Sequence, residues 1–206
     1  HSGVIKIKSK VMDFNIEKGD QKRIVIVGGG FGGLELAKNL RKTGMQIVLI
    51  DKHNYHQFQP LIYQVASAGM EPSSISFPYR RIFQKYKNLY FRLAEVKQID
   101  VKNKKVITSI GSVSYDYVVL AAGATSNFFG NKEIEKGSMA MKSLSEAARI
   151  RNTVLANIER AITTEDPVFR QELLNIVVVG GGATGVELAG VMSEMKKTIL
   201  PRDYPE

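Results

Sequence analysis

An α/β architecture, with a doubly wound parallel sheet built twice and a small antiparallel meander beside it, is predicted by three features of this 206-residue sequence. The first is an internal repeat. Ile24-Val25-Ile26-Val27-Gly28-Gly29-Gly30-Phe31-Gly32-Gly33-Leu34-Glu35-Leu36-Ala37 aligns without gaps on Ile176-Val177-Val178-Val179-Gly180-Gly181-Gly182-Ala183-Thr184-Gly185-Val186-Glu187-Leu188-Ala189, with ten of fourteen positions identical at an offset of 152. That offset is too long for a solenoid and implies two copies of one supersecondary unit, each opening its own domain. The second is the order within each copy: a β-branched run, a glycine cluster, then apolar residues at helical spacing. The third is composition. At 44% apolar and 24% charged, the chain is too apolar for a disordered tail, and no apolar run approaches the roughly 18 residues that span a bilayer.

Residues 1–22 read as a lead outside the fold. His1-Ser2-Gly3 has the look of a tag remnant and Met12 is a candidate initiator. Residues 4–11 alternate Ile and Lys and build no signal-peptide core. The first domain, expected over 23–124, opens on Ile24–Val27, a run suited to a strand buried on both faces. Gly28, Gly30 and Gly33 follow at G-x-G-x-x-G spacing. The first glycine makes the tight strand-to-helix turn, the second lets backbone approach a pyrophosphate that a Cβ would block, and the third lets helix pack close on strand. The free N–H groups and positive end of the helix then hold the phosphates. Leu34, Ala37 and Leu40 mark that helix, Thr43-Gly44 ends it, and Gln46–Asp51 is the next strand. Asp51 lies 23 residues after Gly28, near the roughly 20-residue spacing at which a carboxylate meets an adenosine ribose. Its charge repels a 2′-phosphate, so this site suits FAD or NAD better than NADP. The competing readings are a plain βα turn for either glycine cluster alone and a strand-end turn residue for Asp51.

His53 and His56 have no neighbouring cysteine and read as polar loop residues, so no metal is expected. Pro78–Lys87 predicts a short helix with Arg80, Arg81, Lys85 and Lys87 on a solvated face. Tyr90–Val96, Lys105–Thr108 and Ser112–Tyr115, split by turns at Asn103-Lys104 and Gly111, predict the antiparallel meander. Tyr117–Ala124 returns as a buried strand whose small carboxyl-end residues let a ligand approach, or make a domain-exit turn.

The second domain is expected over 125–206. Asn127–Met141 is a polar linker. Ser143 opens a helix to about Thr163, with Glu146 three residues on completing a capping box and Leu144, Ala147, Ile150, Val154, Leu155 and Ile158 as its apolar stripe. Asp166-Pro167 breaks the chain before the second fingerprint, whose glycines are Gly180, Gly182 and Gly185, followed by Val186, Ala189 and Met192 at helical spacing. Asp203 stands 152 residues after Asp51, yet it follows no strand and lies between Pro201 and Pro205, so it is not counted as a ribose ligand. The second strand of this unit is expected outside the chain, which leaves NADH against NADPH undecided.

The chain has no cysteine. That excludes disulfides, thiolate metal sites and a thiol nucleophile within these residues, and it fits a reducing compartment. The net charge of +9, part of it from Lys6, Lys8 and Lys10 in the lead, suits anionic partners such as phosphates or lipid headgroups. No nucleic-acid partner is expected.

Gly28–Ala37, Asn54-Tyr55-His56-Gln57-Phe58-Gln59-Pro60-Leu61-Ile62-Tyr63-Gln64-Val65-Ala66, Ala121-Ala122-Gly123-Ala124 and Ile176–Gly190 together resemble the type II NADH:quinone oxidoreductases, over about residues 23–206. The paired fingerprints belong to a wide flavoprotein superfamily, and Asn54–Ala66 is the more specific string. Ala122 departs from the family's usual Thr. The resemblance implies two Rossmann-like domains, the first binding FAD and the second NADH, with hydride passed from NADH to FAD and two electrons on to a quinone, without proton pumping. It implies that Gly28, Gly30, Phe31, Gly32, Gly33, Asp51, Lys52, the backbone at Val96, and Ala122-Gly123 surround FAD. Gly180, Gly182 and Gly185 would hold NADH, and Glu187, in the first turn of its helix, would lie near the reacting rings or else complement the helix dipole. It further implies peripheral attachment at the cytoplasmic face of the inner membrane through regions absent from this chain, a homodimer as one admissible assembly, and no turnover by these 206 residues alone. Absence of cysteine argues against the disulfide and sulfide:quinone reductases, which share the two-fingerprint plan. Another thiol-free FAD/NAD(P)H reductase, such as one serving a ferredoxin, and a non-catalytic nucleotide-binding regulator are the alternatives.

Overall fold

The computed structural model describes residues 14–204. The tag-like start, Met12 and Lys6, Lys8 and Lys10 lie outside the described residues. In chain order the elements are β1 (Arg23–Val27), α1 (Phe31–Asn39), β2 (Gln46–Asp51), β3 (Tyr55–Gln57), α2 (Ile62–Ala66), β4 (Ser76–Pro78), α3 (Tyr79–Ile82), β5 (Leu89–Leu93), β6 (Val96–Asp100), β7 (Lys105–Thr108), β8 (Gly111–Ser114), β9 (Tyr117–Leu120), α4 (Lys132–Gly137), α5 (Leu144–Ile162), α6 (Pro167–Leu174), α7 (Ala183–Glu194) and α8 (Leu200–Asp203). The described residues divide into two compact units, one of 14–56 together with 77–124, the other of 57–76 with 125–204.

The first unit is built on a parallel sheet in the order β5-β2-β1-β9. β1 lies between β2 and β9, with Val25 opposite Val48 on one side and Val118 on the other. Successive strand side chains point to opposite faces, and both faces are covered. Ile24, Ile26, Ile47, Leu49, Leu89 and Phe91 pack with Leu34 and Ala37 of α1 and with Tyr79 and Phe83. Val25, Val27, Val48 and Ile50 pack with Ala94, Val106, Val113, Tyr115 and Phe14. Full burial of such aliphatic side chains contributes about 1.5–3 kcal/mol each, which is why a run with no polar position forms the central strand.

Three expectations need correction here. Residues 14–22 are not a detached lead. Phe14 is buried among the second-face residues, its carbonyl accepts from Arg92 Nε at 2.8 Å, and the Ile16 carbonyl accepts from Arg23 at 3.0 Å. The segment Tyr90–Val96 is not one meander strand. Leu89–Leu93 joins the parallel sheet beside β2, because Leu89 and Phe91 alternate inward onto the α1 face, and the antiparallel meander β6-β7-β8 starts at Val96. The helix expected over 78–87 is confined to the short α3.

The second unit is helical. α2 packs against α5 and α7, and α6 against α5. Ser143 caps α5 with a complete capping box to Glu146, as the sequence predicts. Leu144, Ala147, Ile150, Ile158 and Ala161 form its buried stripe, while Leu155 is exposed. From Gln57 on, the Asn54–Ala66 string serves this unit: the side-chain amides of Gln57 and Gln59 each donate to the Lys142 carbonyl at 2.8 Å, which sets the turn into α5. The expected strand Ile176–Val179 does not form. Val177 is 83% and Val179 67% exposed, and no strand among the described residues pairs with the segment. A strand needs a ladder partner for its backbone groups, and sequence pattern alone does not supply one. After Glu194 the helix passes through a π turn, Met195–Ile199, before α8. Pro201 lacks an N–H and crowds the preceding turn, which accounts for the widened backbone. Asp203 lies in α8, away from any strand end.

Candidate functional site

The first glycine elbow sits at the carboxyl edge of the parallel sheet, where α/β folds bind ligands. Gly28 follows β1 with φ +100°, a value L side chains rarely adopt. A Cβ there would overlap the Ala121 carbonyl oxygen, so β1 and the end of β9 approach through this glycine. A Cβ on Gly33 would overlap the Gly28 carbonyl oxygen, so α1 closes on its own strand. No heavy atom lies within 4 Å of where a Cβ would project from Gly30 or Gly32. Gly30 is the N-cap of α1, with no side-chain cap and no acid in the first turn. A helix start that is uncapped, acid-free and approachable at its backbone N–H groups fits a pyrophosphate.

Asp51 ends β2 beside this turn. Its Oδ2 accepts from the Gly29 N–H at 2.6 Å and its Oδ1 from the His53 N–H at 2.8 Å. Two backbone donors hold the carboxylate in one orientation and leave lone pairs for a diol. Lys52 is exposed next to it. Ala122 and Gly123 are exposed just past β9. Val96 opens β6, half-buried against the second-face residues of the core. Phe31 is 49% exposed at the start of α1, its ring edge-on to His56 at 5.2 Å. The structure thus gathers Gly28–Gly33, Asp51-Lys52 and Ala122-Gly123 at the carboxyl ends of three adjacent strands.

Two residues near this turn escape the sequence reading. Tyr79, 2% exposed, donates its hydroxyl to the Gly29 carbonyl at 2.7 Å and lies 3.4 Å from Asp51 Oδ2. His56, 5% exposed, reaches the same carbonyl with Nδ1 at 3.0 Å; it is a buried partner and not a polar loop residue. Burial, with the Asp51 charge second, pushes the Tyr79 hydroxyl far above its usual range, so it remains a donor. One sequence signal existed: Gly29 is a glycine the fingerprint does not require, and a Cβ there would overlap the Tyr79 hydroxyl.

The second elbow repeats the backbone of the first. Gly180 has φ +113°, a Cβ on Gly185 would overlap the Gly180 carbonyl oxygen, and the Val186 N–H donates to the Gly182 carbonyl at 3.1 Å as Leu34 does to Gly30 at 2.9 Å. Gly182 is the uncapped N-cap of α7. Glu187 is the fifth residue of α7, exposed and past the first turn, which weakens the helix-dipole account of it.

Two such elbows, each opening a helix, give the chain a paired G-x-G-x-x-G fingerprint. The chain belongs to the pyridine nucleotide-disulphide oxidoreductase family, whose model matches residues 22–202. It is 37% identical over 182 residues to the type II NADH:quinone oxidoreductase Ndh of Mycobacterium tuberculosis, covering 86% of this chain and 39% of that protein. It is 35% identical over 197 residues to the mitochondrial external alternative NAD(P)H-ubiquinone oxidoreductase B2 of Arabidopsis thaliana, covering 90% and 34%. The chain therefore spans less than half the length of these curated relatives. A solved structure of NDH2 from Plasmodium falciparum in complex with NADH superposes with a TM-score of 0.83 at 24% identity, over 90% of this chain and 39% of that one, which shows the shared fold.

Proposed function

We propose that the chain carries the FAD segment (23–124) and NADH segment (125–206) of a non-proton-pumping NADH:quinone oxidoreductase. The observation that supports it most is the duplicated elbow: the same positive-φ glycine and the same Cβ-forbidding contact recur 152 residues apart. The names of the relatives pair NADH or NAD(P)H with a quinone, and the absence of cysteine disfavours the thiol-dependent branch of the family.

In this reading Gly28, whose N–H is spent on the Ile50 carbonyl, makes the turn, Gly33 lets α1 close on its strand, and the N–H groups at the helix start, from Gly30 on, face the FAD pyrophosphate, with Phe31 and Gly32 in the same turn. Asp51 accepts from the adenosine ribose and repels a 2′-phosphate. Lys52, the Val96 backbone and Ala122-Gly123 flank the cofactor. Gly180, Gly182 and Gly185 hold the NADH pyrophosphate, and Glu187 orients the reacting rings. The chemistry that a bound flavin supplies is acceptance of a hydride from NADH and delivery of two electrons to the quinone. The reading includes peripheral attachment to the cytoplasmic face of the inner membrane and a homodimer. No helix among the described residues is long and apolar enough to cross a membrane, and the +9 charge suits anionic headgroups.

The test uses the longest natural polypeptide carrying this chain. Anaerobic NADH is expected to bleach its visible flavin absorbance, and a short-chain quinone to restore it. Restoration by a ferredoxin but not by quinone would move the assignment to the other thiol-free reductases. A colourless protein that takes up no flavin would refute it.

A further inference from the structure

We propose that Tyr79 and His56 are positioning residues of the first elbow, acting on the cofactor through Gly29. The proposal rests on the FAD reading of that elbow. The two peptides that flank the Gly29 Cα are each held. Its N–H donates to Asp51 Oδ2 at 2.6 Å, while its carbonyl accepts from the Tyr79 hydroxyl at 2.7 Å and meets His56 Nδ1 at 3.0 Å. A carbonyl oxygen only accepts, so His56 carries its hydrogen on Nδ1. Two donors fill both lone pairs of that oxygen, which fixes the plane of the peptide immediately before Gly30.

Turning that plane would rotate the Gly30 N–H away from a bound phosphate, while the preceding peptide is tied separately by the Gly29 N–H to Asp51. The brace therefore aligns the phosphate donor at Gly30, and the adjoining peptide orients the ribose acceptor. The brace is itself rigid. Tyr79 belongs to the buried cluster with Phe83 and Phe91, its ring 4.9 Å from that of Phe91, and His56 has Phe31 edge-on to its ring. Among the described residues, nothing beyond its chain neighbours lies within 4 Å of a Cβ projected from Gly181, the counterpart of Gly29.

The experiment compares Y79F, H56L and H56N with the parent in the longest natural polypeptide carrying this chain. FAD affinity of flavin-stripped protein is measured together with KM for NADH at saturating FAD. Removing one hydrogen bond to a buried carbonyl is expected to raise the FAD dissociation constant roughly 5- to 10-fold in Y79F and in H56L. H56N, whose amide reaches the Nδ1 position, is expected to return it to within about 2-fold of the parent. KM for NADH is expected to shift by less than about 2-fold. FAD affinities unchanged in both Y79F and H56L overturn the proposal, as does a parallel loss at both nucleotide sites, which marks general damage. If Y79F does not fold, the H56L and H56N pair decides. A parent that takes up no FAD fails the underlying reading, and this is seen before any variant is compared.

Discussion

A methyl group added at Gly33 meets a different fate from one added at Gly32. At Gly33 it would overlap the Gly28 carbonyl oxygen, a backbone atom that cannot swing aside as a side chain can, whereas at Gly32 it would project into open space. G33A is therefore expected to lose about 1–3 kcal/mol of unfolding free energy, the usual cost of overpacking. G32A, in the first turn of α1, is expected to stay within about 1 kcal/mol of the parent, because alanine is the better helix former. Urea denaturation of the two variants checks this, and equal losses would contradict it. Asp116 is the second case. The Arg23 backbone N–H at 2.7 Å, then Lys18 at 3.0 Å, with Lys22 also near, hold its carboxyl down to about 2 from an ordinary value of 3.8. A depressed carboxylate contributes stability that is fully present above 3.8 and is lost as pH falls through about 2. The Tm difference between wild type and D116N is expected to be constant near neutral pH and to shrink across that acid window; a difference that grows there would contradict the sign. The glycines and Asp51 were legible because local spacing dictates their geometry. Tyr79 was not, since it meets Gly29 across fifty residues of chain and no periodicity encodes that contact.

At the scale of elements, legibility followed whether the determinant was local. The α5 start was readable because Ser143 and Glu146 satisfy each other's backbone donors within one turn. α6 was missed although its signature was present: Asp166 accepts from Val168 and Phe169 as N-cap, and Pro167 occupies the first helical position. The same Asp-Pro pair that ends one segment begins the next helix. Leu89–Leu93 and Ile176–Val179 fail for the opposite reason. Each has strand composition, but whether and where it pairs depends on a neighbour. β5 finds β2 and switches sheets relative to the expectation. Ile176–Val179 finds no strand among the described residues. The compact units show the same effect: residues 57–76 cluster with the second one, where Gln57 and Gln59 bond Lys142, a contact invisible in a linear reading.

At the scale of the whole molecule, the two copies of one sequence pattern give a direct experiment on what tertiary context adds to propensity. Ile24–Val27 and Ile176–Val179 differ at one position of four, yet the first is a central strand bonded on both sides and the second is largely exposed. Amide exchange reports opening of each backbone bond, so protection is set by pairing and burial and not by side-chain type. In these 206 residues the amides of Val25, Ile26 and Val27 are expected to exchange only on global opening of the first unit, while those of Val177, Val178 and Val179 exchange at nearly unprotected rates. The elbow after each run is expected to behave alike in both copies, since the Leu34 and Val186 N–H groups each bond a carbonyl four residues back. In the longest natural polypeptide carrying the chain, 177–179 are expected to become as protected as 25–27, because a second dinucleotide site of this kind needs its leading strand in a sheet. If 177–179 stay unprotected there with NADH bound, the second elbow works without a strand behind it, and the symmetry between the two sites ends at the glycine turn.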